Sequence, residues 1–281
     1  IGQYEKILSS PRVMTNTIIK ELEDFADRFG RDRRTEILEA EAAHEVKEEF
    51  VEQELMFAVD RFGYAKTYDP AVFARNESTI RQENREVFLV KNTGKIYLFT
   101  DDGKLHQCRV ADLPLAKAKD KGIPLDNVCN YDSAKERMIA LFPETVMENE
   151  KFLFVTRDGL VKIVPGSEFI SGRKTVVSTK LGDGDLLVAV QMLTESQLML
   201  LSEDGYVLRF PVSEISEMKK ASAGVKGMQL SDGDHVKSAA QVSPRAKNTG
   251  LDESFGVDWA QVRAGKRGGK GTRVKNKEVS Q

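Results

Sequence analysis

The spacing of apolar residues divides the chain into a helical part and a longer β-rich part. Within residues 16–29 the apolar positions recur at intervals of four, three and four, which is one stripe along an α-helix. These apolar positions are Ile18, Leu22, Phe25 and Phe29. Thr15 or Asn16 can cap the start of this helix, Gly30 can end it, and Pro11 separates it from a short apolar stretch. The pattern therefore predicts a short helical segment before the β-rich part.

One sequence unit is repeated four times in the β-rich part, in ungapped alignment. Each unit is an apolar run, a turn with a glycine, and a second apolar run, and the units are residues 58–66, 98–106, 154–162 and 200–208. The turn glycines are Gly63, Gly103, Gly159 and Gly205, and the bulky apolar residues ten positions later are Phe73, Leu113, Phe169 and Ile215. Glycine adopts positive φ without steric cost, so each unit predicts a β-hairpin.

The repeat spacing favours a propeller-like fold. The turn glycines are 40, 56 and 46 residues apart, the range of propeller blades, and single blades must stack to bury both faces. We therefore expect an all-β, β-propeller-like array of at least four blades after the helix. A generic β-sandwich, whose hairpins also use Asp-Gly, is the alternative. Two further segments, 181–185 and 230–234, share an Asp-Gly-Asp marker that we interpret as a turn rather than a calcium loop.

Charge is distributed unevenly although the formal net charge is only −2. Residues 36–54 hold eight Glu against the single Lys47, whereas residues 263–277 hold seven Lys or Arg and no acid. We divide the chain accordingly into four segments: the end of a helical arm (1–35), an acidic linker (36–54), the β-domain (55–243) and a basic glycine-rich tail (244–281). The chain begins at Ile1, and we expect it to be part of a longer protein.

Several classes of function are disfavoured by what the sequence lacks. Cys108 and Cys129 have no metal-ligand spacing and fit a reducing cytoplasm, and no window approaches a membrane span. The three His have no paired nucleophile motif, and neither a P-loop nor a Gly-x-Ser-x-Gly elbow occurs. We expect no catalytic residues, no metal site and no cofactor within this chain.

The motifs resemble those of a known family. Residues 29–37, Phe-Gly-Arg-Asp-Arg-Arg-Thr-Glu-Ile, are similar to the join between the coiled-coil arm and the C-terminal domain in the A subunits of bacterial type IIA topoisomerases, DNA gyrase and topoisomerase IV. Residues 154–162 and 204–212 resemble blades of that domain. The resemblance implies a β-pinwheel, a propeller-like ring with strand exchange, whose positively charged rim bends or wraps duplex DNA. The partners that it implies are a second A subunit together with a B subunit. It further implies that the whole enzyme uses ATP and Mg²⁺ and has a cytoplasmic, nucleoid-associated location.

The family's basic glycine-rich box departs from its usual place. In gyrases the box lies in the first blade, where this chain has residues 73–79, Phe-Ala-Arg-Asn-Glu-Ser-Thr. A close match lies instead in the tail, at residues 266–271, Lys-Arg-Gly-Gly-Lys-Gly. Absence from the first blade is typical of topoisomerase IV, so the resemblance slightly favours topoisomerase IV over gyrase. A tail box could still reach the junction of the first and last blades.

Candidate DNA-binding residues come from the box and from basic positions in the repeats. Lys66, His106 and Lys162 lie three residues after their turn glycines and could form a basic track along the rim. The binding candidates are Lys66, Lys162, Arg173, Lys174, Arg209, Lys219, Lys220, Lys266, Arg267, Gly268, Gly269, Lys270, Gly271 and Arg273, with Arg75, Arg109, Lys117, Lys119, Lys121 and Lys226 as further basic positions. Glycines expose backbone N–H groups to phosphate, and Lys and Arg neutralise its charge.

Two other interpretations remain open from the residues alone. For any one basic blade position an ordinary solvated surface charge competes with DNA contact, and the box could be a flexible basic tail. A protein-interaction propeller with no DNA role, or a propeller hydrolase, would also use such repeats. A hydrolase needs convergent acids or a metal cluster, and the sequence shows no such spacing.

Overall fold

A computed structural model describes residues 2–31, 51–117, 119–243 and 262–274. The chain splits into two units, Ile1–Glu49 and Phe50–Gln281. Most of the predicted acidic linker and parts 244–261 and 275–281 of the predicted tail lie outside the described residues.

The first unit contains helices α1 (Gly2–Ser9) and α2 (Pro11–Phe29). The predicted helix therefore exists but begins five residues early, because Ser10 is its N-cap and Pro11 occupies the first turn. Proline fits there since its fixed φ suits a helix and its missing N–H would have had no helical partner. The predicted caps are wrong: the Thr15 hydroxyl donates to the Pro11 carbonyl at 2.9 Å within the helix. Gly30 ends α2, as predicted, and its N–H donates to the Ala26 carbonyl at 2.6 Å.

The apolar stripe of α2 is exposed within its own unit. Its members Ile18, Leu22, Phe25 and Phe29 all face solvent, and no described residue of the helix is buried. No helix in the described ranges combines the length and apolar character needed to cross a membrane.

The second unit consists mainly of short antiparallel strands. Its strands are β1 (Glu54–Asp60), β2 (Tyr64–Tyr68), β3 (Asn84–Lys91), β4 (Lys95–Thr100), β5 (Lys104–Arg109), β6 (Ile123–Pro124), β7 (Met138–Pro143), β8 (Lys151–Thr156), β9 (Leu160–Pro165), β10 (Thr175–Val177), β11 (Leu187–Met192), β12 (Gln197–Ser202), β13 (Tyr206–Pro211), β14 (Val225–Lys226), β15 (Val236–Val242) and β16 (Thr272–Arg273). Helices α3 (Pro70–Glu83) and α4 (Glu144–Asn149) accompany them.

In the part of the chain that the structure describes, these strands form four sheets of four strands, which we call blades 1 to 4. Their strand orders are β3-β1-β2-β6, β7-β4-β5-β10, β11-β8-β9-β14 and β15-β12-β13-β16. The central hairpin of each blade is one of the four predicted repeat units, and each turn glycine has a positive φ of 77–84°. The predicted all-β propeller-like fold with a helical segment before it is confirmed.

The fourth strand of blades 1 to 3 comes from the next repeat unit along the chain. Strand β6 follows the blade 2 hairpin but pairs with β2 of blade 1, and β10 and β14 are exchanged in the same direction. In blade 4 the fourth strand is β16, which pairs with β13 and comes after the fourth repeat unit in the sequence. The boundary predicted at residue 243 is therefore wrong for residues 262–274, which complete a blade rather than form a tail.

Hydrophobic cores lie between successive blades. Side chains from blades 1 and 2 share one cluster, those from blades 2 and 3 a second, and those from blades 3 and 4 a third. The four residues ten positions after the turn glycines are all buried, as the repeat pattern requires. On the remaining face of blade 1, Phe73 and Ile80 of α3 pack over Tyr68, and Val262 packs over the outer face of blade 4. Extra elements thus cover the faces of blades 1 and 4 that do not pack against another described blade.

Candidate nucleic-acid interface

The exchanged strands mark the outer edge of the array. Strands β3, β7, β11 and β15 contact one another in that order from blade to blade, so each is the inner strand of its sheet. Strands β6, β10, β14 and β16 lie at the opposite edge, and each is only two or three residues long. The segments leading into these strands therefore lie along the outer edge.

In three blades the same eight-residue segment leads into the outer strand. We call residues 115–122, 217–224 and 264–271 the basic octads of blades 1, 3 and 4. Each begins with a parallel bridge to the hairpin, and the bridges are Thr67 to Leu115, Ile163 to Glu217 and Arg209 to Ala264. Each ends seven residues later at a glycine with positive φ, at Gly122, Gly224 and Gly271.

The terminal glycines are required by close backbone approach as well as by their dihedral angles. A Cβ on Gly271 would collide with the Val207 carbonyl oxygen, and one on Gly122 would lie 2.5 Å from that of Ala65. Real Cβ atoms do not approach so closely, and positive φ is unfavourable for other residues. The octad can therefore lie flat against its hairpin only with glycine at its last position.

The octads carry half of the exposed cations among the predicted binding residues. The exposed basic octad residues are Lys117, Lys119, Lys121, Lys219, Lys266 and Lys270, and Lys226 and Arg273 lie just beyond the octads in β14 and β16. Among its described residues blade 2 has no octad, but exposed Arg173 and Lys174 lead directly into β10. Every described blade thus presents cations at its outer edge.

The predicted basic glycine-rich box is part of the blade 4 octad. The Arg267 Nη1 donates to the Lys226 carbonyl at 2.7 Å, and its Nε donates to the Glu214 carbonyl at 2.8 Å. The Gly268 N–H donates to the Gly227 carbonyl at 2.7 Å, and the Gly269 N–H to the Lys266 carbonyl at 3.2 Å. Arg267 and these two glycines therefore anchor the box to its own loop and to the neighbouring blade. The expectation that the amides of Gly268 and Gly269 would face phosphate is wrong, because both already donate within the protein.

Lys270 and Gly271 remain exposed, and the Lys270 ammonium lies 4.7 Å from the centre of the Tyr206 ring. The equivalent Lys121 of blade 1 lies 4.6 Å from the Tyr64 ring. An aromatic face attracts a cation at this distance, so the ring orients the lysine without burying its charge.

The box lies on the last blade and not at residues 73–79. Residues 70–83, which follow the first hairpin, form α3, with Arg75 exposed on it. The box segment leads directly into β16, which completes blade 4. The structure thus places the tail box on the last blade.

The predicted track of Lys66, His106 and Lys162 is wrong, because all three side chains are buried. Lys162 is 1% exposed, and its Nζ donates to the carbonyls of Ser178, Lys220 and Ser222 at 3.1, 2.6 and 2.8 Å. Lys66 donates to the Asp120 carbonyl at 2.7 Å. Since these ammonium groups are directed into the protein, they cannot contact phosphate.

His106 occupies the same position in blade 2 and makes different bonds. Its Nε2 lies 2.8 Å from a carboxylate oxygen of Glu136, and its Nδ1 lies 3.0 Å from the Thr175 hydroxyl of β10. The fourth hairpin has Leu208 at this position, also buried.

Burial away from water lowers the pKa of Lys162 to about 7.

Three other predicted residues are partly engaged within the protein. Arg209 is half-buried and donates from Nε to the Gln197 side chain. Lys220 is half-buried and its Nζ donates to the Glu168 carbonyl. Arg109 is exposed but pairs with Asp112 at 2.8 Å. These cations have competing partners, which reduces their availability to a ligand.

Sequence reasoning missed the octad as a unit. Comparison of the segments ending at Gly122, Gly224 and Gly271 would have found it, since a lysine lies five residues before each glycine.

The Asp-Gly-Asp segments are turns, as predicted. Asp185 accepts the Asp158 N–H at 2.9 Å and Asp234 accepts the Asp204 N–H at 3.0 Å, so both carboxylates bind hairpin turns.

Comparison with known proteins agrees with this architecture. Residues 94–132, 150–193 and 196–243 match the family described as the DNA gyrase C-terminal domain, beta-propeller. Curated relatives named as the A subunit of DNA gyrase include those of Lawsonia intracellularis (24% identical, covering 96% of this chain and 35% of that one), Haemophilus influenzae (29%, 82% and 28%) and Salmonella typhimurium (30%, 81% and 27%). The chain spans about a third of the length of these relatives.

Solved structures of similar fold include the C-terminal domain of DNA topoisomerase IV, with a TM-score of 0.69 and 24% identity over 80% of this chain and 73% of that one. The E. coli ParC C-terminal domain has a TM-score of 0.57 and 13% identity over 80% and 95% of the two chains. At these identities the structural likeness concerns the fold. The sequence match and the curated relatives add the family, and the four-blade unit belongs to the DNA gyrase C-terminal domain family of β-propellers.

Proposed function

We propose that the four-blade unit binds duplex DNA along its outer edge and bends or wraps it. The observation that carries the proposal is the repetition of the basic octad in blades 1, 3 and 4, with the basic segment before β10 in blade 2. Random surface charge has no reason to recur at one structural position in successive blades. A row of cations with this recurrence fits a polyanion that passes from blade to blade.

The contacts in this proposal are mainly to phosphate. Lysines and arginines on short loops neutralise backbone charge and release counterions, whereas base reading needs an element inserted into a groove. Bending costs free energy that many weak contacts must offset. Binding should therefore weaken steeply with salt and show little sequence preference.

We further propose that the whole protein is the A subunit of a type IIA topoisomerase. In that enzyme the domain would present DNA to the cleavage core of the A subunit pair. A B subunit would supply the ATP site, with Mg²⁺ required elsewhere in the enzyme, and the complex would act on DNA in the cytoplasmic nucleoid. The family membership and the curated relatives support this assignment.

The finer proposal is a topoisomerase IV-like rather than a gyrase-like activity. It is supported by helix α3 at residues 70–83, where a gyrase-type box would have been expected. Reconstituted enzyme should then decatenate and relax DNA with ATP and should not introduce negative supercoils. Net negative supercoiling of relaxed plasmid would overturn this part and leave the DNA-binding proposal intact.

Substitution of exposed octad lysines tests the DNA-binding proposal directly. Lys266→Ala combined with Lys119→Ala should weaken binding to a linear duplex and lower the slope of log Kd against log salt concentration by about two units, one per lost phosphate contact. Removing residues 263–281 would be a poorer test, because it also removes β16 from blade 4.

The matched control is Lys237→Ala, since Lys237 is exposed on the inner strand β15. This variant should bind like the original chain, with an unchanged salt slope. Absent or salt-insensitive binding by the original chain would overturn the proposal and favour a propeller that binds a protein partner.

A further inference from the structure

The ammonium group of Lys162 is fully bonded inside the protein. In its protonated form the three N–H donors match three backbone carbonyl acceptors, and the nitrogen also lies 5.1 Å from the centre of the Phe154 ring. Removing a charge from water has a desolvation cost even when hydrogen bonds satisfy the charge. An apolar side chain at this position would not have that cost. The lysine therefore calls for an explanation other than core filling.

Two of the three acceptors belong to the blade 3 octad. Lys220 and Ser222 are the fourth and sixth residues of this octad. The Lys162 side chain therefore fixes two points of the loop. The third acceptor, Ser178, lies just after β10, and its N–H donates to the Gly103 carbonyl in the blade 2 turn at 2.8 Å. Lys162 thus connects the blade 3 hairpin, the blade 3 octad and blade 2.

Blade 1 repeats this arrangement with a single bond. Lys66 occupies the same hairpin position and donates to the carbonyl of Asp120, which is the sixth residue of its octad, as Ser222 is of the blade 3 octad. Lys119 and Lys121, on either side of Asp120, are exposed. A buried lysine below an exposed basic loop therefore recurs in two blades.

We infer that Lys162, and Lys66 in blade 1, are positioning residues for DNA binding, which fix the octad backbone so that its exposed lysines face the phosphates. The inference rests on the proposed DNA-binding function. Neither ammonium touches DNA. A loop that is already ordered loses less conformational entropy on binding than a mobile one, so loss of the buried bond weakens binding through the loop.

A double-mutant cycle on DNA affinity tests the role of Lys162. The variants are Lys162→Met, Lys219→Ala and the combination, each titrated against a fluorescent linear duplex across a salt series. We expect Lys162→Met to weaken binding threefold to tenfold and to lower the salt slope by about one unit, although its side chain is 1% exposed. The double variant should bind no more than about twofold more weakly than Lys162→Met, because the first change already removes the Lys219 contact.

The control cycle pairs Lys162→Met with Lys266→Ala in blade 4. These changes affect different octads, so their fold-losses should multiply. Multiplicative losses in the Lys219 cycle as well, or an unchanged salt slope in Lys162→Met, would show a purely structural lysine and overturn the inference.

Circular dichroism shows whether Lys162→Met folds. If it does not fold, the same cycle in blade 1, with Lys66→Met and Lys119→Ala, tests the inference instead. Coupling there supports the inference and multiplicative losses overturn it. If the original chain does not bind DNA, the proposed function itself fails. If it binds with a steep salt dependence but the cycles show no coupling, only the positioning role fails.

Discussion

Blades 3 and 4 have the same octad backbone, but different side chains support it from below. In blade 3 a buried lysine holds the loop through two of its carbonyls, whereas in blade 4 the equivalent Leu208 lies among apolar neighbours. A Cβ on Gly265 or Gly269 of the blade 4 octad would lie 3.2 or 3.6 Å from a Leu208 methyl group. Gly265 thus lets the loop pack closely over leucine, while the blade 3 loop is held by hydrogen bonds.

The octad backbone is therefore stabilised in two different ways. Blade 4 combines an apolar support with an anchoring arginine, since Arg267 bonds the carbonyls of Glu214 and Lys226. Blade 3 uses the ammonium below the loop. The position of a charge in a repeat therefore does not reveal whether it faces solvent, because burial depends on what lies above it.

The largest effect should come from removing the apolar support of blade 4. Leu208 is 4% exposed within the core between blades 3 and 4. Leu208→Ala should lower the free energy of unfolding by about 2–4 kcal/mol, through lost burial and the cavity left behind. Urea denaturation followed by far-ultraviolet circular dichroism measures this change.

Leu115→Ala is the matched control, because Leu115 is 64% exposed at the start of the blade 1 octad. It should change the free energy of unfolding by no more than about 0.5 kcal/mol. Equal losses in the two variants would contradict the view that Leu208 supports its octad from below.

The fold was predictable because its signals are local. Each turn glycine lies between two apolar runs, which predicts a hairpin, and the repeat spacing predicts blades. Strand exchange was implied by the family resemblance and not by these local signals, since a two-residue strand such as β6 carries no periodicity. Without the exchange, no pattern in the chain indicates that residues 262–274 complete blade 4.

The candidate site was predictable in composition but not in orientation. Lys266, Lys270 and Arg273 were expected to be exposed and are, whereas Lys66 and Lys162 are buried. An alternating strand pattern would assign these two lysines to the polar face. The carbonyls that accept from these lysines come from distant parts of the chain, which are the octad above each hairpin and, for Lys162, also Ser178.

A pH-dependent effect should distinguish the lysine of blade 3 from the leucine of blade 4. The pKa of Lys162 is about 7 in the folded protein, against 10.5 for an ordinary lysine. Between these pH values the unfolded chain binds more protons than the folded one, so this group makes the free energy of unfolding rise with pH. The expected contribution is about 1 kcal/mol per pH unit.

Urea denaturation at several pH values between 7 and 9.5 measures this contribution as a difference between the original chain and Lys162→Leu. The variant should lack that part of the rise, whereas Lys266→Ala, which removes an exposed lysine, should retain it. Parallel curves for the original chain and Lys162→Leu would mean that Lys162 keeps an ordinary pKa.

The smallest effect concerns a contact that blade 4 has and blade 3 lacks. Lys270 lies 4.7 Å from the centre of the Tyr206 ring, whereas the corresponding residues of blade 3 are Ala223 and Leu160. A cation over an exposed aromatic face contributes about 0.5–1 kcal/mol. A double-mutant cycle with Tyr206→Leu and Lys270→Gln should give a coupling energy in that range in urea denaturation.

The cycle of Tyr64→Leu and Lys121→Gln in blade 1 should give a similar value, because the Lys121 ammonium lies 4.6 Å from the Tyr64 ring. Coupling in one blade only would show that the tyrosine does not orient the octad lysine as a general feature of these blades.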